Sequence, residues 1–149
     1  INTSGLFADL GVGDGRVVAL TRGPYGIPSV GLEDDDELVS VAKGNIKRLE
    51  EVGILKEANI RIAKGDFIED QTYTNIGVRF EDIATVFNFI DNDEKIAAKI
   101  VIQSQPGTIF IAYGSEFVLR YVYKRLTLKK SILLDNTKKI GKYMNVYRK

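Results

Sequence analysis

The chain contains neither cysteine nor histidine. It therefore has no disulfide, no thiol nucleophile, no catalytic imidazole and no zinc site built from cysteine and histidine, which excludes many hydrolases and metalloenzymes. Any chemistry must use carboxylates, amides, hydroxyls, amines and the backbone, and we expect no metal site.

The sequence also lacks a long hydrophobic run. No stretch reaches the roughly 18 apolar residues of a membrane-spanning helix, and no basic and apolar leader is present. The 149 residues are 44% hydrophobic and 28% charged, which is typical of soluble globular proteins and excludes a disordered chain. We expect one domain over residues 1–149, no membrane partner and a cytoplasmic location.

Charge is nearly balanced over the whole chain but not along it. Residues 1–75 carry 8 basic and 13 acidic side chains, a net charge of −5, whereas residues 76–149 carry 13 and 7, a net charge of +6. The basic excess lies after Glu116, and such a region either binds an acidic partner such as nucleic acid or is a solvated surface. The solvated surface is favoured, because the tyrosines are spaced for packing rather than for an exposed stacking platform: Tyr121, Tyr123, Tyr143 and Tyr147.

Short apolar runs alternate with helical patterns along most of the chain. The repeated β-α order predicts a doubly wound α/β domain with a mostly parallel sheet and helices on both faces. The last two strands have no full helix between them and predict a C-terminal antiparallel β-hairpin. A short helix over 116–125 and an irregular loop over 69–79 are also expected. The predicted strands are 6–10, 28–32, 59–63, 83–87, 107–113, 126–134 and 142–148, and the main helices run from Arg16, from about 34 to 52 and from about 91 to 102.

The candidate ligand-binding residues follow the first three strands. Ligands of open α/β sheets bind at the carboxyl ends of the strands, usually at the first strand-to-helix turn. That turn is the glycine loop Gly11–Gly15, whose G-x-G-x-G spacing is tighter than the dinucleotide fingerprint and lacks the lysine of a P-loop. Glu33 ends the second strand, where a carboxylate can accept hydrogen bonds from both ribose hydroxyls. Asp66 and Phe67 follow the third strand and could bind the amino group and the ring of an adenine.

These residues resemble the motifs of a known family. The segments 7–15, Val30-Gly31-Leu32-Glu33 and Gly65-Asp66-Phe67 are similar to those of class I S-adenosylmethionine-dependent methyltransferases. The resemblance implies S-adenosylmethionine as cofactor and a seven-stranded sheet whose last strand is antiparallel. It implies that the loop passes under the methionine part, that Glu33 holds the ribose and that Asp66 and Phe67 hold the adenine. The implied cofactor-binding residues are Asp9, Gly11, Gly13, Gly15, Glu33, Asp66 and Phe67.

The reacting group is predicted beside the end of the fourth strand. Asn88 and Phe89 lie there, and Tyr113 ends the fifth strand. The segment that begins at Asn88 does not match the Asn/Asp-Pro-Pro-aromatic motif of enzymes that methylate the amino group of a base. An amide oxygen and an aromatic wall could hold a neutral lysine amine. We therefore expect catalytic roles for Asn88, Phe89 and Tyr113.

The sequence allows three interpretations of what the protein acts on. Asn45-Ile46, Lys64 before Gly65, and Pro106-Gly107 look most like the small archaeal protein-lysine methyltransferases, which implies a protein substrate. A nucleic-acid (RNA) methyltransferase is the alternative, supported by the basic region. A cofactor-binding but inactive partner subunit is the third, since Asp34 stands where the family usually places an apolar side chain.

Overall fold

A seven-stranded mixed sheet runs through the molecule. The structure, a computed structural model, describes residues 5–55, 60–89, 92–114, 125–135 and 142–149. The strands are β1 Leu6–Leu10, β2 Ser29–Glu33, β3 Ile60–Lys64, β4 Ile83–Phe89, β5 Ile109–Gly114, β6 Thr127–Asp135 and β7 Lys142–Arg148. The helices are α1 Arg16–Arg22, α2 Asp36–Glu51, α3 Asp70–Thr74 and α4 Asp93–Gln103, with a 3₁₀ turn at Phe80–Asp82.

The strand order is β3-β2-β1-β4-β5-β7-β6. β1 to β5 are parallel to one another, whereas β7 is antiparallel to both β5 and β6. This confirms the expected seven strands and the C-terminal hairpin. The chain adds β2 and β3 on one side of β1 and then returns to add β4 and β5 on the other, so the order reverses between β1 and β4. Such a reversal opens a crevice at the carboxyl ends of the strands.

Two sequence predictions are corrected by the structure. β4 continues two residues beyond the predicted end, so Asn88 and Phe89 belong to the strand and do not follow it. The segment predicted as an irregular loop over 69–79 contains α3. A single five-residue turn of helix is too short to show a hydrophobic period. The helix predicted over 116–125 lies almost wholly outside the described residues.

The hydrophobic core forms two clusters that use alternate residues of the same strands. Phe7 of β1 belongs to one cluster, with Val18 of α1 and Ile46 of α2. Its neighbour Ala8 belongs to the other cluster, with Ile96 of α4. Successive strand residues point to opposite faces of a sheet, so each cluster fills one face of β1.

α2 begins where the sequence stacks carboxylates. Asp35 is the N-cap, and its side chain accepts hydrogen bonds from the backbone N–H groups of Glu37 and Leu38 at 2.8 and 3.0 Å. Asp36 and Glu37 place negative charge in the first turn, which the helix dipole favours. Among the described residues, no helix is long and apolar enough to cross a membrane.

α4 is tied to the segment after β3 through one buried lysine. The Lys99 ammonium donates to the Ile68 carbonyl at 2.8 Å and pairs with the Asp70 carboxylate. It also lies 5.3 Å from the ring centre of Tyr73 and 4.9 Å from that of Phe80. A buried cation needs such partners, because burial without them is costly. Lys99 therefore fixes α3 and the 3₁₀ turn against α4.

Candidate active site

The glycine loop between β1 and α1 is held in a conformation that suits glycine. Gly11, Gly13 and Gly15 have φ angles of +86°, +54° and +83°, in the region that other residues rarely adopt. The Gly11 and Val12 N–H groups both donate to the Leu32 carbonyl, at 2.9 and 3.0 Å. A Cβ atom added at Gly11 or Gly13 would meet no atom within 4 Å. The loop is thus fixed on the β2 side and open on the other.

The loop is clamped between β2 and α2 by residues whose roles the sequence analysis missed. A Cβ atom at Gly31 would lie 2.4 Å from Cγ2 of Val12, so only glycine lets the loop approach β2 this closely. Asn45 of α2 donates from Nδ2 to the Asp14 carbonyl at 3.0 Å. The available signals were Gly31 inside a strand and Asn45 inside a helix, where such residues usually have a specific reason.

Glu33 reaches from the end of β2 back to the glycine loop. Its side chain is 8% exposed, and Oε2 accepts a hydrogen bond from the Gly13 N–H at 3.0 Å. Oε1 accepts from the N–H groups of Asp34 at 3.1 Å and Asp35 at 3.4 Å. A carboxylate has about four acceptor positions. Three are used here, so Glu33 can still accept a hydrogen bond from a ligand.

Asp9 is a buried carboxyl group without a full set of partners. It is 2% exposed, and its Oδ1 has no hydrogen-bond partner. The pKa of Asp9 is raised to about 8, chiefly by burial and to a lesser extent by the nearby carboxylates of Glu33 and Asp14. Such a group is stabilised by a proton or by a cationic or hydrogen-bond-donating ligand. Asp9 is therefore a buried carboxyl group of β1 whose Oδ1 lacks a hydrogen-bond partner.

Asp66 and Phe67 lie after β3, as predicted. Asp66 is exposed, and its Oδ1 accepts from the Ile68 N–H at 2.7 Å. Phe67 is half-buried against the core, and its carbonyl accepts from the Tyr73 hydroxyl at 2.6 Å. The other oxygen of Asp66 and the exposed part of Phe67 remain for a ligand.

Gly65 brings the ends of β2 and β3 together. Its N–H donates to the Glu33 carbonyl at 2.8 Å. A Cβ atom there would lie 2.6 Å from Oγ1 of Thr72, which in turn donates to the Asp66 carbonyl at 2.7 Å. The candidate ribose and adenine residues thus share one hydrogen-bonded frame.

Asn88 is buried, and its side chain is bound to the neighbouring strand. It is 2% exposed, and its Nδ2 donates to the Leu10 carbonyl at 2.8 Å, whereas its Oδ1 has no partner. The bond joins the last residue of β1 to β4 at the reversal of strand order. Because adjacent strand residues face opposite sides, Asn88 and Phe89 do not converge on one point.

Phe89 and Tyr113 form the aromatic surface at this edge of the sheet. The two residues are register partners on β4 and β5, and their rings stack with centres 4.4 Å apart and an interplanar angle of 11°. Phe89 is 51% exposed. The pair offers a flat face to solvent next to the crevice. Within the described ranges, no group of three acidic side chains gathers to bind a metal ion.

Known proteins match this chain in structure but not in sequence. No protein-family model matches it, and no curated protein matches it. An RNA methyltransferase from Salinibacter ruber, in complex with S-adenosyl-L-homocysteine, matches with a TM-score of 0.68 and 22% identity, covering 99% of this chain and 82% of that one.

Two further solved structures give the same result. An rRNA methylase from Streptococcus thermophilus has a TM-score of 0.69 and 15% identity, covering 100% of this chain and 89% of that one. A geranyl diphosphate methyltransferase in complex with SAM has a TM-score of 0.72 and 10% identity, covering 99% of this chain and 79% of that one. This chain has the fold of class I methyltransferases. The carboxyl ends of β1 and β2 at the reversal of strand order, with Asp9, Glu33 and the glycine loop, are the candidate active site.

Proposed function

We propose that the protein is a methyltransferase that uses S-adenosylmethionine. The observation that carries the proposal is the pair of carboxyl groups at the glycine loop, Asp9 with an unpartnered oxygen and Glu33 bound to the Gly13 N–H. Two acids at this place suit a ligand with a positive charge and neighbouring hydroxyl groups. S-adenosylmethionine has both, in its sulfonium and amino groups and in its ribose.

The cofactor-binding roles are assigned along the carboxyl ends of three strands. The open side of Gly11 and Gly13 leaves room for the methionine part to lie against the backbone. Glu33 would accept from the ribose hydroxyls, and Asp66 and Phe67 would hold the adenine through a free carboxylate oxygen and a ring face. The two core clusters support the expectation that helices cover both faces of the sheet.

The acceptor group is proposed to lie on the ring face of Phe89, beside Tyr113. When bound, the cofactor would supply a methyl group on a sulfonium: the acceptor bonds to the methyl carbon as the carbon–sulfur bond breaks and a neutral thioether leaves. The protein must therefore chiefly align and desolvate the acceptor. Asn88 is then a positioning residue, because its amide holds the end of β1 against β4.

Protein lysine is the proposed acceptor, in a cytoplasmic enzyme. An aromatic face attracts an ammonium group and also covers the apolar stem of the side chain. The acidic residues at the ends of β1 and β2 add a negative potential that attracts a cationic side chain and repels a phosphate chain. Before methyl transfer the ammonium, whose pKa is about 10.4 in water, must lose one proton to solvent, because the neutral amine is the nucleophile.

The test is methyl transfer from radiolabelled S-adenosylmethionine to separate protein and RNA pools from the same cell extract. The proposal expects label in protein, recovered as methyl-lysine after hydrolysis, and loss of label with Phe89→Ala. Label in RNA alone would replace the acceptor with a nucleotide. Cofactor binding without transfer to either pool would identify the inactive partner subunit, and absence of cofactor binding would refute the proposal as a whole.

A further inference from the structure

The hairpin of β6 and β7 has a large excess of basic over acidic residues. Residues 125–135 and 142–149 contain a single acid, Asp135, and these basic residues: Arg125, Lys129, Lys130, Lys142, Arg148 and Lys149. β6 is the edge strand of the sheet, and its residues from Thr127 to Ser131 are exposed. The charge therefore lies on an accessible edge.

Three of these cations surround one cavity. Lys129, Arg148 and Lys149, with Thr127 and Gly107, line a cavity of about 430 Å³ at the amino end of β5. No acidic side chain is among its lining residues. Within the part of the chain that the structure describes, no ion pair involves Lys129 or Arg148. The Lys149 ammonium donates to the Ser104 carbonyl. This acceptor is neutral, so the charge of Lys149 is not neutralised.

We infer that this edge is a second binding surface, for the phosphate backbone of a nucleic acid. Unpaired lysine and arginine side chains around a polar cavity are suited to phosphate oxygens, and each contact releases a counterion from the nucleic acid. An acidic protein would offer carboxylates at irregular spacing, whereas a nucleic acid offers a continuous row of phosphates along an edge strand. The surface goes beyond the proposed methyl transfer and does not depend on it.

The surface is separated from the methyl-transfer site in position and in charge. The strand order places β2, which carries Glu33, five strands from β6, a distance of roughly 24 Å at about 4.8 Å per strand. The cavity also lies at the amino ends of the parallel strands, whereas the crevice lies at their carboxyl ends. A polyanion bound at β6 therefore avoids the acidic residues Asp9 and Glu33.

The aromatic residues of the hairpin show what kind of recognition to expect. Tyr147 is buried, with its ring stacked on Phe110 at 6.0 Å, and Tyr143 is half-buried. The described part of the hairpin has no exposed aromatic ring on which a base could stack. Binding through phosphates alone fixes position but reads no sequence, so the surface binds RNA and DNA without sequence preference.

The experiment measures fluorescence anisotropy of labelled single-stranded RNA and duplex DNA with the full chain. Contacts from three cations predict a slope of about −2.1 to −2.7 for log affinity against log salt, and a loss of about 20- to 40-fold between about 50 and about 200 mM salt. The variant Lys129→Glu/Arg148→Glu should bind at least about tenfold more weakly at low salt, with a shallower slope.

The matched control is Lys43→Glu/Lys47→Glu, which makes the same change of net charge on exposed positions of α2. It should keep the affinity of the original chain within about twofold. Equal losses in the two variants, binding that does not depend on salt, or equal competition by poly-glutamate would overturn the inference. Calorimetry with S-adenosylmethionine should give the same affinity for all three proteins, so the failure of either proposal is distinguishable from that of the other.

Discussion

Binding of S-adenosylmethionine should be coupled to the ionisation of Asp9. In the free protein the Asp9 carboxyl is buried, one of its oxygens has no partner, and its pKa is about 8. A cationic ligand beside it favours the carboxylate, so binding lowers the pKa and releases a proton. The prediction is that affinity rises with pH through the neutral range.

The size of the effect follows from the fraction of Asp9 that is ionised. With a pKa of about 8, about one molecule in eleven holds the carboxylate at pH 7, so the apparent affinity is about tenfold below its plateau at high pH. Between about pH 6 and about pH 7 it should rise about tenfold. Binding at pH 7 should release about 0.9 proton per cofactor.

Calorimetry in two buffers of different ionisation enthalpy measures both quantities. Asp9→Asn keeps the size of the side chain but holds it neutral, so it should bind weakly and with no pH dependence between about pH 6 and about pH 8. S-adenosylhomocysteine is the matched ligand, since its sulfur is uncharged, and its affinity should change less with pH. An affinity for S-adenosylmethionine that is flat over this range, or equal slopes for Asp9→Asn and the original chain, would refute the reasoning.

The same pKa makes a prediction for stability. The folded-state pKa of Asp9 lies above its unfolded value of 3.8, so the unfolded chain binds fewer protons between these two values. The free energy of unfolding therefore falls as the pH rises from about 4 to about 8. The Asp9→Asn side chain does not ionise, so its free energy of unfolding should not fall in this way. Urea denaturation should find this variant more stable than the original chain at pH 8, but not at pH 4.

Three further substitutions test other parts of the site. Glu33→Ala should weaken cofactor binding by about 1.5–3 kcal/mol, because it removes charge-assisted hydrogen bonds, and calorimetry with unchanged circular dichroism checks this. Gly31→Ala should lower the free energy of unfolding by about 1–3 kcal/mol, because its Cβ meets Val12, whereas the exposed Gly44→Ala should not, and urea denaturation separates the two. Phe89→Ala should lower kcat at least about tenfold with cofactor affinity unchanged, since it removes the acceptor surface and not the cofactor contacts.

Much of the fold could be predicted from local patterns. β1 and β7 have the predicted bounds, because apolar runs between glycine loops and polar turns leave little freedom in where a strand begins and ends. The strand order is a property of long-range pairing, which local patterns do not contain. α3 was missed because its place depends on packing against Lys99, which is distant in sequence.

The site was predictable in its residue types but not in their contacts. Glu33 and the glycine loop were expected as separate contributors, whereas the structure joins them through the Gly13 N–H. Asn88 was expected at the end of a strand, facing the acceptor, and it lies inside β4 and binds the Leu10 carbonyl. These differences arise because a side chain's partner is set by which strands are neighbours, and no local pattern contains that information.

The buried ammonium of Lys99 also has a consequence for how the molecule opens. The segment that carries Asp66 and Phe67 is attached to α4 at the Ile68 carbonyl. Opening that segment would break the Lys99 contacts with Ile68, Asp70 and Tyr73 together, so α4 and the segment should exchange their amide hydrogens as one cooperative unit. The adenine end of the crevice is then as rigid as the helix behind it, while the edge of β6 at the other side of the sheet is free to exchange independently.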